Sequence, residues 1–178
     1  EIGSGLVGSE MCIRDSYRFD KPEDERFPKM IELFSRTNYL LQEENGLTPI
    51  HIDDSVSSLS AILLNDAYYQ ALMDGRENMR GISVLKPEWI IPFKAKAWLD
   101  LREKKDVDSS DIKKHRNDII RIVSDMVLQK CILPDEVRKD MEKFIEQFDV
   151  TESELKNLKI RGTKPEDIKR VLQTTYLD

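Results

Sequence analysis

The chain has 178 residues, a length that fits one domain or one domain with a helical extension. Hydrophobic residues make up 39% and charged residues 35%, the formal charge is −6, and the apolar runs are only a few residues long. These values point to a charge-rich, helix-rich globular protein. They exclude a membrane-spanning helix and argue against nucleic-acid binding over the whole surface, though not against a local basic patch.

Two cysteines, Cys12 and Cys131, and two histidines, His51 and His115, lie far apart without metal-ligand spacing. A disulfide framework or structural zinc site is therefore not expected, and the expected setting is reducing and cytoplasmic, with no membrane partner. The opening stretch, EIGSGLVGSEMCIRDS, shows no period of 2 or 3.6 and lacks the basic and apolar regions of a secretory signal. Its eleven residues from Leu6 to Ser16 resemble the translation of a transposase adapter used in DNA library preparation. On that expectation residues 1–16 are a disordered adapter translation, biological sequence begins near Tyr17, and the gene was interrupted upstream.

The elements follow in chain order. FPKMIELFS, Phe27 to Ser35, alternates as a strand. Asn45-Gly46 signals a hairpin, after which LTPIHI resumes as a strand. SSLSAILLN predicts a buried strand ending near Leu64, followed by a helix from Asp66 to Asp74 capped by Asn65. GISVL, Gly81 to Leu85, predicts another buried strand. KPEWIIPFKAKAWLDLREKK predicts a long helix with Pro87 in its first turn and a kink or late start at Pro92. DSSDIKKHRNDIIRIVSDMVLQ and LPDEVRKDMEKFIEQF predict two more. Two short helices close the chain, with capping boxes at Thr151/Glu154 and Thr163/Glu166. Strands first and helices later predict an α+β fold.

Lys94 is the most informative position. On a wheel of about 100° per residue it falls near the middle of a stripe formed by Ile90, Phe93, Ala97, Trp98 and Leu101. Lys96 and Lys104 fall at the edge or outside it. An ammonium in an apolar stripe either snorkels to water or meets an anion, such as a phosphate in a cleft. On the next predicted helix Asp111, His115 and Asp118 line one edge of the Ile112, Ile119, Val123 and Met126 stripe, as a solvated edge or as the wall of a site. Residues 94–121 hold nine Lys/Arg and six Asp/Glu, a local charge of +3. Glu32, between Ile31 and Leu33 on a predicted strand, and Asp53-Asp54 fit either ordinary exposure or metal binding. No P-loop, GxGxxG, GxSxG or HExxH motif occurs.

The segments IIPFKAKAWLDLR and NDIIRI, with FPKMIELFSR and TPIHIDDSVSSLSAILLNDAYY before them, resemble the C-terminal half of the AbiEii/AbiGii toxin family of nucleotidyltransferases. The resemblance covers roughly Tyr17 to Leu128. It implies a polymerase-β-like core: residues 17–85 as a remnant of the nucleotidyltransferase sheet, 86–130 as the family's helix pair, and 131–178 as a C-terminal helical extension. It also implies Mg²⁺ held by early carboxylates, a Gly-rich turn at the triphosphate of a bound NTP, and an acceptor hydroxyl on RNA or protein. Lys94 corresponds to the lysine facing the nucleotide phosphates, Asp118 to the first Asp of the later motif and Glu32 to the third strand acid. Lys96, Arg102, Asp111 and His115 would wall the site, while Arg121 stands where the family often has a second Asp. A cognate antitoxin and a role in phage defence are implied as well. The Gly-rich turn followed by Asp-x-Asp is absent downstream of Tyr17, so the expectation is a fragment that neither holds metal nor catalyses, from a parent that does both. The alternative is a non-catalytic module binding RNA or a protein partner.

Overall fold

Asn65 starts the first helix as its sequence position requires: its side-chain Oδ1 accepts the backbone N–H of Tyr68 at 2.9 Å. In the computed structural model the described residues are 18–20, 26, 30–32, 34–36, 47–49, 60–104 and 108–178, with the strands before Leu64 described by backbone alone. The fold is α+β. The chain divides into two units, Glu1–Tyr69 and Gln70–Asp178.

Among the described residues the first unit carries five strands. β1 (Arg18–Asp20) pairs antiparallel with β2 (Met30–Glu32), placing Arg18 opposite Glu32. β3 (Phe34–Arg36) pairs parallel with β5 (Ser60–Leu64), and β4 (Leu47–Pro49) pairs antiparallel with the same strand, giving the order β3-β5-β4. The single strand expected over Phe27 to Ser35 is thus two short strands in different sheets. Strand LTPIHI is described only over Leu47–Pro49, and the Asn45-Gly46 hairpin lies outside the described residues. Helix α1 (Asp66–Asp74) runs across the division and buries Tyr68 and Ala71.

Within the second unit, α1 ends at a tight approach. A Cβ on Gly75 would lie 2.4 Å from Cβ and Cγ of Trp89, so only glycine fits. A hairpin of β6 (Arg76–Met79) and β7 (Ile82–Leu85) follows, with Met79 opposite Ile82. Arg80 and Gly81 both have positive φ, 53° and 86°, as a two-residue type I′ turn demands, and Asn78 Oδ1 accepts the Gly81 N–H at 2.9 Å. Strand β6 is exposed throughout and polar but for Met79, and Ile82 and Ser83 of β7 are exposed too. GISVL therefore forms the expected strand, but on a surface hairpin and not in a core.

Five helices complete the unit: α2 (Pro87–Glu103), α3 (Ser109–Asp125), α4 (Asp135–Gln147), α5 (Glu152–Asn157) and α6 (Pro165–Tyr176). Asp108 caps α3 by accepting the Ser110 N–H at 2.8 Å. The Thr151/Glu154 capping box is formed as expected. That of α6 is shifted by one residue. Pro165 occupies the first helical turn, so Lys164 is the cap, and Asp167 Oδ2 accepts its N–H at 3.4 Å.

Helix α2 touches both α3 and α4, and α6 touches both α3 and α4. Residues 131–178 are therefore part of the same core as α2 and α3. Ile91, Pro92, Ala95, Trp98 and Leu99 of α2 meet a core that includes Ile119, Ile120, Phe144, Phe148, Ile168 and Leu172, all buried. Trp98 meets Phe144 edge-on, with centroids 5.2 Å apart, and Phe144 lies 4.7 Å from Phe148. The fully buried arc of α2 is rotated from the stripe expected in the sequence. Ile90, Phe93, Ala97 and Leu101 are only half-buried, and Lys94 stands at the arc's edge.

Pro92 lies inside α2, and the helix passes through it. It has no N–H to give the carbonyl four residues earlier, Glu88 O. That oxygen accepts the phenolic O–H of Tyr176 from α6 instead. Burial pushes the Tyr176 hydroxyl pKa far up, so it stays a donor. The test is a double-mutant cycle in urea. Tyr176→Phe should cost about 1–3 kcal/mol by leaving a buried carbonyl unpaired. In a Pro92→Ala background, where the helix supplies its own N–H, the same change should cost clearly less. Equal costs in both backgrounds would refute the substitution of one donor for the other.

Candidate functional site

Helices α2 and α3 are joined by a short connection, so they lie as antiparallel neighbours. Lys94 is nine residues before Glu103 at the end of α2, and Asp118 is nine residues after Ser109 at the start of α3. Equal distance from the connection brings the two side chains together: Lys94 Nζ donates to Asp118 Oδ2 at 2.7 Å. Each side chain is 26% exposed. Arg121, one turn further along α3, approaches the other oxygen, Asp118 Oδ1, at 3.7 Å. Two cations thus share one carboxylate midway along the helix pair.

His115 sits one turn before Asp118. Its pKa lies below the ordinary 6.5, first because burial disfavours the imidazolium and then because the Lys94 ammonium repels it; Asp118 and Asp111 pull weakly the other way. The ring is therefore neutral at pH 7, and Nδ1 is buried without a hydrogen-bond partner. Asp111, a further turn back, is exposed.

The remaining expected wall residues lie elsewhere on α2. Lys96 is two residues from Lys94, about 200° around the helix. It pairs with Asp100 at 3.0 Å and with Asp140 of α4 at 3.6 Å. Burial alone would lower its pKa, but the two carboxylates outweigh burial and raise it. Arg102 stacks over the Trp98 ring at 4.2 Å and donates to Gln147 Oε1 at 2.9 Å. Both are braces between α2 and α4. Glu32 belongs to the first unit, where β2 is described by backbone alone, and Asp53-Asp54 lies outside the described residues. Among the described residues no group of three or more His, Cys, Asp or Glu side chains converges to hold a metal. Among them, too, no helix is long and apolar enough to cross a membrane.

Two features escaped the sequence reading. Arg116 of α3 reaches the start of α5, where it pairs with Glu154 and donates to the Asp149 carbonyl. The capping-box signature located Glu154 but nothing marked its arginine. The second is an open groove of about 730 Å³ along the turn from α5 to α6, lined by Lys156, Lys159, Arg161 and Lys164 over a floor that includes Leu155 and Ile160. The cation-rich run KNLKIRGTK was its signal.

No protein-family model matches the chain, nor does a curated protein or a solved structure.

Two titrations check these electrostatics. The Arg116 hydrogen bonds hold the Glu154 pKa at about 2, against an ordinary 4.5. A depressed carboxylate adds stability above its unfolded value, and that stability is lost as pH falls from about 4.5 toward 2. Denaturation midpoints across this window should drop less in Glu154→Gln than in the parent chain. For His115, NMR should give a midpoint below 6.5. Lys94→Ala should raise it and Asp118→Asn should lower it, because one change removes a repelling charge and the other an attracting one. Since the unfolded chain takes up this proton more readily, the group's contribution to stability falls as pH drops below 6.5.

Proposed function

We propose that the chain is the C-terminal part of a nucleotidyltransferase of the AbiEii/AbiGii toxin type, whose α2–α3 pair offers Lys94 to the phosphates of a nucleoside triphosphate. One observation carries this reading: a largely covered ammonium is held by Asp118 at 2.7 Å, with Arg121 adding a second positive charge. A phosphate oxygen arriving there meets a cation already stripped of most of its water and fixed in direction. That gives more than a freely hydrated lysine could, because neither reorganisation nor much entropy is spent on contact. Asp118 orients Lys94, and together with Arg121 the cluster keeps a net positive charge for an incoming anion.

In this reading bound Mg²⁺ would supply charge neutralisation at the triphosphate, and the acceptor would be a hydroxyl on RNA or protein. Of this chain's residues, Glu32 is the candidate metal ligand, and the Gly-rich turn and Asp-x-Asp pair belong to the parent protein upstream. Transfer would belong to that parent, working with an antitoxin in defence against phage. A second reading is a non-catalytic module that binds RNA or a protein; the cations of the α5–α6 groove, which have no carboxylate partner among the described residues, favour it.

The experiment recovers the gene across the codon for Tyr17 and assays its full product with Mg²⁺ and each labelled NTP against RNA and protein acceptors. Label should transfer, and Lys94→Ala should abolish transfer while shifting the melting temperature little, since a partly exposed ion pair contributes only about 1 kcal/mol or less. Absence of transfer with all four nucleotides favours the binding module. Transfer untouched by Lys94→Ala removes the phosphate contact.

A further inference from the structure

The α5–α6 turn is built around an unusual choice of residue. Leu158 ends α5, and the next two N–H groups fold back in a Schellman motif: Lys159 N–H to Lys156 O at 3.0 Å and Ile160 N–H to Leu155 O at 2.9 Å. The residue after the cap must then adopt the left-handed conformation, which glycine does without strain. Here it is Lys159, with φ 61°. The chain carries backbone strain at a position that puts a lysine on the groove.

Three further cations share the lining, Lys156, Arg161 and Lys164, against the single acid Glu152. None of the four cations has a carboxylate partner among the described residues, and they are gathered around one concavity. Lys94, Lys96, Arg116 and Arg138, by contrast, each pair with at least one carboxylate. Four uncompensated charges around one concavity make a polyanion site in a chain whose overall charge is −6. Three of the four are lysines, point charges suited to single phosphate oxygens, whereas paired carboxylates favour the arginine fork. No aromatic side chain lines the groove, so bases have nothing to stack on. The Thr163 hydroxyl adds a neutral donor of the kind that meets phosphates.

We propose that this groove grips the phosphodiester backbone of RNA without reading its sequence. The choice of RNA over DNA rests on the transfer reading above; the grip on phosphates does not.

The test measures fluorescence anisotropy of a labelled 20-nucleotide RNA of mixed sequence with the chain, without nucleotide or metal, so that failure of transfer chemistry cannot mask binding. Binding should appear at low salt and weaken as salt rises, with a log–log slope of about −3 if all four cations meet phosphates of a single strand. Lys156→Gln/Arg161→Gln/Lys164→Gln should weaken it by about tenfold or more with an unchanged circular dichroism spectrum. Lys159→Gly gives the sharpest readout: weaker binding together with a higher melting temperature, because it removes a charge and relieves strain at once. A lysine placed there for packing alone would not show that opposition. The proposal is overturned by no binding at low salt, by binding indifferent to the triple substitution, or by a polyglutamate peptide binding more tightly than RNA, which would mark an acidic protein as the partner. Equal affinity for DNA of the same sequence overturns the choice of RNA.

Discussion

The second unit depends on how the helix with a proline in its interior is completed. Pro92 removes the hydrogen bond that Glu88 O would receive, and an unpaired buried carbonyl is expensive. Tyr176 supplies the donor from the far end of α6. The repair fixes more than one bond. It sets α6 against α2, and α6 in turn lies against both α3 and α4. The α2–α3 pair that holds Lys94 and Asp118 in register is thereby closed from the side away from their connection.

Charge counted along the sequence and charge available on the surface are different quantities in this protein. Residues 94–121 carry a surplus of basic side chains, yet three of the strongest candidates are spoken for. Lys94 faces Asp118, Lys96 faces Asp100 and Asp140, and Arg116 faces Glu154. The shorter basic run near the C-terminal helices has fewer cations but leaves them uncompensated. What an anion meets is decided by pairing across helices, and pairing is a property of packing.

That distinction also explains what could be read in advance. The α+β class and the helices were legible because their signals are local: Asn65 and Thr151 as caps, Pro87 as a first-turn residue, and the 3.6-residue recurrence of apolar groups. Strand β6 was not legible, since RENM is exposed throughout, polar but for Met79, and has no alternation to betray it. The start of α6 slipped by one residue because Thr163 and Glu166 imitate a box that Pro165 and Asp167 move onward. The core-facing arc of α2 was misplaced because two partners, α3 and α4, flank the helix, and a wheel assigns one face only. Lys94, Asp118 and His115 each stood out singly. Their meeting required two helices to lie antiparallel at a particular register, which no local pattern encodes.

The tyrosine bond also sets an order of events. It joins residues 88 apart in sequence, whereas Lys94 and Asp118 are only 24 apart. Closing the longer loop costs on the order of 4 kcal/mol in chain entropy, roughly 1 more than the shorter one. The hairpin of α2 and α3 can therefore assemble early, with Glu88 O still bound to water. Docking of α6 must expel that water, so α2 reaches its dry, final form only as the last helix arrives, and the speed of folding is set by that distant closure.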